Sequence, residues 1–162
     1  MEVLIKKVRP EAIIPHKAHN IDNGYDLYAA KMEYDKENDC YIYYTGIAIA
    51  VPIGYSGDVI PKSRHRKTPT YMPNTPGDVD PGYTGEIQVT YKPRVPSWIK
   101  DVLKWIHFPF RKSIYKEFDA PYNIGDSIAQ FYLTKHPEIE FKEIDELPKS
   151  ERGDKGHGST GN

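Results

Sequence analysis

The sequence predicts an all-β domain built from many short strands. Its 162 residues include 13 Tyr, 14 Pro and 12 Gly, and this mixture favours strands and turns over long helices. Short β-rich runs recur along most of the chain and are separated by turn residues, a spacing typical of a sandwich, a barrel or a jelly roll. A chain of this length forms one domain and can bury roughly two-thirds of its surface.

Five runs in the first 60 residues predict strands, because each is rich in β-branched or aromatic residues and is bounded by turn residues or proline. They cover residues 3–8, 25–30, 41–44, 47–51 and 55–60. Residues 62–76 hold few apolar side chains and many Arg, Lys, Thr and Pro residues, so an exposed loop is expected there. A late strand is predicted over residues 127–133.

The stretch from Asn74 to Val89 has the most distinctive pattern. A turn-rich approach and two acids lead into a Pro-Gly turn, and an alternating run begins at Gly85. Pro-Gly is strong turn punctuation, and the alternation indicates a half-buried strand. The pattern therefore predicts a β-hairpin with the Asp80 carboxylate and the Tyr83 ring near its bend.

Residues 93–120 change period and carry both tryptophans. Ser97 is predicted to be the N-cap of a helix, and apolar side chains then recur at helical spacing up to Pro109. These side chains are Trp98, Ile99, Val102, Leu103 and Ile106. Six Lys or Arg residues against three acids give the segment a charge of +3. Such an apolar stripe must either pack within the protein's own assembly or bind a protein partner.

The bulk composition argues against several classes of function. The net charge of −1 gives no reason to expect nucleic-acid binding. The single cysteine, Cys40, excludes an intramolecular disulfide framework and fits a reducing cytosol. The apolar run at the N-terminus is too short for a signal peptide, and no stretch approaches the length of a membrane span. We therefore expect a cytoplasmic protein with no nucleic-acid or membrane partner.

Five short motifs occur in a fixed order along the chain. They are GYDLYAA at 24–30, PKSR at 61–64, the central stretch at 74–89, GDSIAQ at 125–130 and RGDKGHGSTG at 152–161. Together they resemble the five motifs of the trimeric deoxyuridine triphosphatases (dUTPases), over residues 18–161. The form of the third motif is most similar to a bacterial and phage branch of that family, and the interval between motifs three and four contains an insert.

The resemblance implies a β jelly roll with one short inserted helix, assembled as a homotrimer with active sites at the subunit interfaces. The β domain would cover residues 1–148, with an inserted helical arm at about 94–119. Residues 149–162, Gly-rich and without an apolar pattern, would form a mobile arm that closes over the active site. Some phage members carry an extra segment at the place of the insert that a regulatory protein recognises.

The implied reaction is Mg²⁺-assisted hydrolysis of dUTP to dUMP and pyrophosphate, which limits uracil in DNA and supplies dUMP for dTMP synthesis. Mg²⁺ is expected to be held by the substrate phosphates and water, with no direct protein ligand. In-line attack on the α-phosphate needs a water held by a carboxylate, and Asp80 matches the family's catalytic residue. Tyr83 matches the aromatic beneath the deoxyribose, and Asn74 matches a uracil-reading side chain. The backbone near Gly77 and Gln88 is expected to supply the remaining donors and acceptors.

The triphosphate needs hydrogen-bond donors, which the second, fourth and fifth motifs would supply. Successive N–H groups in a Gly-rich turn can form an anion-binding nest. The positions expected to contact substrate are Lys62, Ser63, Arg64, Gln130, Arg152, His157, Gly158, Ser159 and Thr160. Asp26 is interpreted as structural.

Four positions depart from the family pattern. Lys62 stands where arginine is usual and gives up the bidentate fork, while Arg64, at a position that usually holds a small residue, would restore a guanidinium nearby. Ser127 replaces another arginine. His157 replaces a phenylalanine that stacks on uracil, so binding is expected to depend on pH near the reference pKa of about 6.5.

Two alternative functions remain open at this stage. One is a related dCTP deaminase, which shares the fold, although the central stretch and the Gly-rich tail favour the hydrolase. The other is a nucleotide-sensing protein whose insert recruits a partner. Five histidines outside the motifs show no metal-ligand spacing and are predicted to be ordinary surface or loop residues. They are His16, His19, His65, His107 and His136.

Overall fold

The computed structural model of the chain describes residues 1–105, 120–150 and 153. Regular structure in these residues is almost entirely β. The ten strands, β1 to β10, are Leu4–Lys7, Tyr25–Tyr28, Lys31–Asp35, Cys40–Tyr44, Ile47–Ala50, Tyr55–Pro61, Thr70–Tyr71, Gly77–Val79, Gln88–Pro93 and Ser127–Lys135. A 3-10 helix covers Ser63–Lys67, and the helix α1 covers Ser97–Trp105.

The strands form two four-stranded antiparallel sheets and one two-stranded sheet. The strand orders are β2-β10-β6-β8, β3-β4-β9-β7 and β1-β5. The core is built from fully buried side chains of both large sheets and of β5, including Leu27, Tyr43, Ile47, Val89, Tyr91 and Ile128. In β9 the burial alternates, so that Val89 and Tyr91 face the core while Gln88 and Thr90 face away from it. The predicted all-β, jelly-roll class is confirmed.

The five predicted N-terminal strands and the late strand are all present, whereas β3 has no counterpart in the prediction. Lys31–Asp35 pairs only with β4 and lies at the edge of its sheet. Its charged residues protect an exposed edge from pairing with other chains. Lys, Glu and Asp are also depleted in strands, so three of its five residues disfavour a strand prediction. The predicted loop 62–76 contains the 3-10 helix and the two-residue strand β7.

The predicted central hairpin is wrong. β8 pairs with β6, and β9 pairs with β4 and β7, so the chain crosses from one sheet to the other between Asp80 and Ile87. The amide of Ile87 donates to the carbonyl of Ile47 at 2.8 Å, and the amide of Thr45 donates to the carbonyl of Ile87 at 3.2 Å. These long-range bonds direct the segment away from β8, and β9 begins only at Gln88.

Helix α1 begins at Ser97, but its N-terminus is capped by a residue from another element. The Asp39 carboxylate, in the turn between β3 and β4, accepts hydrogen bonds from the Ser97 amide at 2.8 Å and from the Ser97 hydroxyl at 2.5 Å. Along the predicted apolar stripe Ile99 is half-buried, whereas Trp98 is 64% exposed and Val102 is also exposed.

Two sets of predicted positions, one in the insert and one in the tail, have no counterpart among the described residues. The predicted positions Ile106 to Asp119 of the insert, and Arg152, His157, Gly158, Ser159 and Thr160 of the tail, lie outside the described residues. In the described ranges, no helix is long and apolar enough to cross a membrane.

Candidate active site

A cavity of about 380 Å³ opens beside β8 and the segment that follows it. Its wall includes the predicted catalytic aspartate and four positions predicted to contact the base or the sugar. These are Asn74, Gly77, Asp80, Tyr83 and Gln88. Val59, Met72, Val79 and Ile87 line it as well, so the cavity combines an apolar surface with a few polar groups, as small-molecule sites do.

A tight turn places Asp80 and Tyr83 on the wall of this cavity. The Tyr83 amide donates to the Asp80 carbonyl at 3.1 Å, and Gly82, the third residue of the turn, has a φ of 92°. Proline in the second position and a positive φ in the third are the features of a type II turn, which favours glycine at that third position. The Pro81-Gly82 pair therefore fixes the geometry locally, as the sequence predicted.

The Tyr83 ring is held against the chain that follows it. Its hydroxyl donates to the Glu86 carbonyl at 3.1 Å. A Cβ atom at Gly85 would lie 2.5 Å from the Tyr83 hydroxyl oxygen, which is closer than real Cβ atoms approach. Gly85 is therefore needed for the ring to occupy this position.

Glu86 also lines the cavity, and the sequence analysis assigned it no role. Its carboxylate accepts two bonds from Arg9, at 2.7 Å from Nε and 2.9 Å from Nη2, and one from the Gly46 amide at 2.7 Å. The hydrogen bond from Arg9 is the main cause that holds the pKa of Glu86 below its usual range. Arg9 is 77 residues away from Glu86 in the sequence, so their pairing could not be predicted. The only sequence feature that points to a role for Glu86 is its position inside the third motif.

A second polar group surrounds the buried carboxylate of Asp26. Lys62 Nζ donates to Asp26 Oδ2 at 2.5 Å and to the Ser127 hydroxyl at 2.8 Å. Gln130 Nε2 donates to Asp26 Oδ1 at 3.3 Å. Two of the departures from the family pattern, Lys62 and Ser127, are thus in direct contact. Asp26 is only 5% exposed, and these bonds compensate its burial.

Arg64 and Ser63 lie on the exposed side of this second group. Arg64 Nη2 donates to the Ser127 carbonyl at 2.8 Å, and its guanidinium carbon lies 5.2 Å from the centroid of the Tyr122 ring. Ser63 is exposed at the start of the 3-10 helix. Exposed donors next to a lysine and an arginine can bind phosphate oxygens.

His65 is a buried residue, and its prediction as a surface or loop histidine is wrong. It is 6% exposed, with its ring centroid 4.4 Å from that of Tyr91 and 5.9 Å from that of Tyr122. Nε2 donates to the Thr70 carbonyl at 3.1 Å, and Nδ1 lies 3.0 Å from the Tyr122 hydroxyl. Because a carbonyl can only accept, Nε2 carries the proton and the hydroxyl donates to Nδ1.

Burial lowers the pKa of His65 and so keeps the imidazole neutral. The 3-10 helix turns this one side chain inward while its neighbours Arg64 and Arg66 stay exposed. Nothing in the charge-rich sequence distinguishes His65 from them.

The residues that line the cavity lie close together, and so do the residues around Asp26, but the two sets are separate within one chain. None of Lys62, Ser63, Arg64 and Gln130 lines the cavity. In the sheet, β10 and β6 separate β2, which carries Asp26, from β8. Across residues 1–105, 120–150 and 153, no group of three or more His, Cys, Asp or Glu residues could hold a metal ion.

Comparisons with known proteins agree on one family. A family model described as dUTPase matches residues 10–94. The deoxyuridine 5'-triphosphate nucleotidohydrolase of Corynebacterium diphtheriae is 33% identical over 163 residues, which cover 98% of this chain and 92% of the relative.

Solved structures of phage proteins share the fold. A mutant dUTPase of Staphylococcus bacteriophage 80alpha, solved with dUpNHpp, superposes with a TM-score of 0.75 at 22% identity, covering 99% of both chains. A mutant dUTPase of phage phi11 of S. aureus, whose structure shows how a structural Mg(II) ion is coordinated, has a TM-score of 0.66 at 19% identity. That match covers 91% of this chain and 99% of the other. From the family match and the bacterial relative, the chain belongs to the dUTPase family.

Proposed function

We propose that the chain hydrolyses dUTP to dUMP and pyrophosphate, with Asp80 as the residue that activates the attacking water. As a dUTPase it is a hydrolase that acts on deoxyuridine triphosphate. The observation that carries the assignment of residues is the cavity at β8, where a carboxylate, an aromatic ring and an amide side chain converge. The reaction acts on the nucleotide pool, limiting uracil in DNA and supplying dUMP, so we also propose a cytoplasmic location.

Asp80 has the position and the free acceptor capacity of a general base. Its side chain is exposed on the cavity wall, and its carboxylate accepts no hydrogen bond from the part of the chain that the structure describes. An oxygen of this carboxylate can accept a proton from a water as the water oxygen attacks the α-phosphorus in line with the leaving pyrophosphate. The other carboxylate oxygen remains able to accept from the sugar 3′-hydroxyl.

The sugar and the base are recognised by the rest of the cavity wall. The Tyr83 ring, held by Gly85 and Glu86, would lie beneath the deoxyribose and leave no room for a 2′-hydroxyl. The Asn74 side chain and the backbone near Gly77 and Gln88 would pair with the polar edge of uracil. A close fit in this cavity would also reject the 5-methyl group of thymine.

The phosphates would be bound by the second polar group and by the C-terminal arm. Lys62, Arg64 and Gln130 offer charged or amide donors, next to Ser63. The family is Mg²⁺-dependent, and we propose that Mg²⁺ is held by the phosphates and water. The residues fit this role, because the cavity wall carries carboxylates that can accept hydrogen bonds from water bound to the ion. Bound there, Mg²⁺ would neutralise charge on the phosphate oxygens.

We propose a homotrimer in which the cavity of one subunit and the phosphate-binding residues of another subunit form one active site. The phosphate-side residues, Lys62, Ser63, Arg64 and Gln130, do not line the cavity of their own chain. After β10 the described chain leaves apolar side chains in solvent, among them Phe141 at 91% exposure and Leu147 at 84%. A second copy of the chain would bury these side chains, because water-exposed apolar surface of this kind favours association.

Mixed trimers test this arrangement. Asp80→Asn and Arg64→Ala subunits, each first shown to be slow alone, are co-expressed and purified as trimers. If cavity and phosphate donors of one site belong to different subunits, the mixed trimer contains sites with both intact residues and regains part of the wild-type turnover. No regain, or a monomer in sedimentation, would contradict the shared site.

The catalytic assignment is tested by Asp80→Asn. We expect this variant to fold and bind nucleotide but to release pyrophosphate from dUTP at least about a hundredfold more slowly, the scale of lost general-base help. Asp78→Asn is the matched control, because Asp78 is exposed on the same cavity wall. Near-normal turnover of Asp80→Asn, or an equal loss in Asp78→Asn, would falsify the assignment. Assaying dCTP in parallel separates this activity from a deaminase.

We also propose that the insert at about 94–119 is an arm that binds a protein partner. This insert is expected to be dispensable for hydrolysis. The exposed Trp98 and Val102 on α1 support this role, because aromatic side chains on a helix face are frequent interface anchors. Residues 149–162 are proposed to close over the bound triphosphate.

A further inference from the structure

The Glu86 carboxylate ties two distant parts of the chain to the wall of the cavity. It accepts from Arg9 Nε at 2.7 Å and Arg9 Nη2 at 2.9 Å, and from the Gly46 amide at 2.7 Å. Arg9 follows β1, and Gly46 lies between β4 and β5. The parallel bonds from Arg9 form the two-pronged geometry that only a guanidinium can offer, and such charge-assisted pairs are directional as well as strong.

The backbone of Glu86 in turn holds Tyr83. Its carbonyl accepts the Tyr83 hydroxyl at 3.1 Å, and the ring lies so close to Gly85 that a Cβ atom there would clash with it. The position of the ring is therefore set by the backbone at Gly85 and Glu86. That backbone is fixed in its turn by the side chain of Glu86 and its partners.

Arg9 does not line the cavity, and its guanidinium is directed to the Glu86 carboxylate. Its side chain is 31% exposed and that of Glu86 is 14% exposed, so the pair is sheltered from solvent. The guanidinium also lies 5.0 Å from the centroid of the Tyr44 ring, which holds it from a second side. Lys31 lies 5.1 Å from the same ring, but its ion pair is with Glu33, and it acts on Glu86 only as a more distant charge.

We propose that Arg9 is a positioning residue for the discrimination between deoxyribose and ribose, acting through Glu86 on the Tyr83 ring. This inference rests on the proposed function. Steric exclusion of a 2′-hydroxyl works only if the ring cannot recede, because a shift of about 1 Å changes rates by up to a hundredfold. Deoxyribose packs against the face of the Tyr83 ring but has no 2′-hydroxyl to be excluded, so a small retreat of the ring affects its binding less than that of ribose. Loosening the ring therefore favours UTP relative to dUTP.

The experiment compares kcat/KM for dUTP and for UTP by pyrophosphate release. We expect the dUTP-to-UTP ratio to fall at least about tenfold in Arg9→Met, since small displacements of a positioned group cost factors of this order. Arg9→Lys, which keeps the charge but not the fork, should restore part of the ratio. Lys31→Met is the matched control and should keep the wild-type ratio, because it removes a cation from the same Tyr44 ring but leaves the hydrogen bonds to Glu86 in place.

The outcomes separate this inference from the proposed function. A wild-type chain that releases no pyrophosphate from dUTP overturns the proposed function and the inference with it. An active wild type whose ratio is unchanged in Arg9→Met overturns the inference alone, even if both rates or the melting temperature fall. If Arg9→Met does not fold, Arg9→Lys and Glu86→Gln decide. Each should lower the ratio without abolishing activity on dUTP, and an unchanged ratio in both overturns the inference.

Discussion

Replacing His65 by alanine would remove the buried imidazole beneath the phosphate-side residues. The ring is enclosed by Tyr91 and Tyr122 and bonded to the Thr70 carbonyl and the Tyr122 hydroxyl. The same 3-10 helix presents Ser63 and Arg64. Loss of the imidazole should therefore lower stability and loosen the residues proposed to bind phosphate.

The expected loss follows from the contacts. Leaving the Tyr122 hydroxyl without this partner costs about 1–3 kcal/mol, whereas the Thr70 carbonyl still accepts from Arg94 Nε at 3.3 Å. The lost ring contacts add about 0.5–1.5 kcal/mol each. The Thr68 hydroxyl, 3.1 Å from Nδ1, can partly replace the imidazole. We therefore expect about 3–5 kcal/mol, within the range for large-to-small core substitutions. For a domain of this size that lowers the melting temperature by about 6–20 °C.

The pH dependence gives a second, independent readout. Burial lowers the pKa of His65 in the folded chain, whereas the unfolded chain binds this proton near pH 6.5. The unfolded state thus holds more protons below that pH, so stability falls as the pH drops from about 6.5 towards the lowered pKa and is level above it. Arg94, which donates to the Thr70 carbonyl, also disfavours the imidazolium. Burial raises the pKa values of Tyr91 and Tyr122, so neither supplies a compensating negative charge.

Thermal melts from pH 8 to pH 5.5 measure both effects. His65→Ala should melt well below the wild type at pH 8. His65→Phe, which keeps a planar ring, should lose the part of the pH dependence that begins near 6.5. His19→Ala is the control, because the His19 side chain is 79% exposed. A melting temperature within about 3 °C of wild type in His65→Ala, or an unchanged pH slope in His65→Phe, would refute the account of this site.

Two further predictions concern the proposed arms. Deleting residues 151–162 should leave the melting temperature within about 2 °C while removing most of the activity, because a segment without apolar periodicity adds little to the core. A large fall in melting temperature would instead make the tail part of the fold. Replacing residues 94–119 by a short Gly-Ser loop should leave a trimer with intact dUTP turnover that has lost only its partner in pull-down. Loss of the trimer would mean that the insert packs against a neighbouring subunit.

Features encoded in adjacent residues could be predicted from the sequence. The turn from Asp80 to Tyr83 depends on Pro81 and Gly82 alone, so its geometry and the two cavity side chains at its ends follow from four consecutive residues. The strands with apolar alternation were found for the same reason. β3 was missed because three of its five residues, Lys31, Glu33 and Asp35, are poor strand formers, although Met32 and Tyr34 alternate with them.

Features decided by distant partners could not be predicted in this way. A hairpin was the local expectation after Asp80, but Glu86 and Ile87 bind Arg9, Gly46 and Ile47, and these contacts carry the chain to the other sheet. These long-range contacts cannot be predicted from the pattern of neighbouring residues.

The second polar group illustrates the same limit. Lys62 and Ser127, each considered a separate loss of an arginine, are 65 residues apart in sequence and share a hydrogen bond in the structure. Their effects on the site are therefore coupled, because groups in one hydrogen-bond network do not act independently.

The start of α1 shows how a correct boundary can rest on a different cause. The pattern predicted a cap by the Ser97 side chain, whereas the Asp39 carboxylate accepts both donors of Ser97, 58 residues away in sequence. Asp39 also accepts the Tyr34 hydroxyl, at 2.5 Å. A carboxylate is favoured at a helix N-terminus, where free N–H groups and the helix dipole attract negative charge. The β3–β4 turn therefore fixes the first turn of α1 while Trp98 remains exposed. A helix anchored in this way loses less conformational freedom when a partner binds, which favours the proposed role of the insert as an interaction arm.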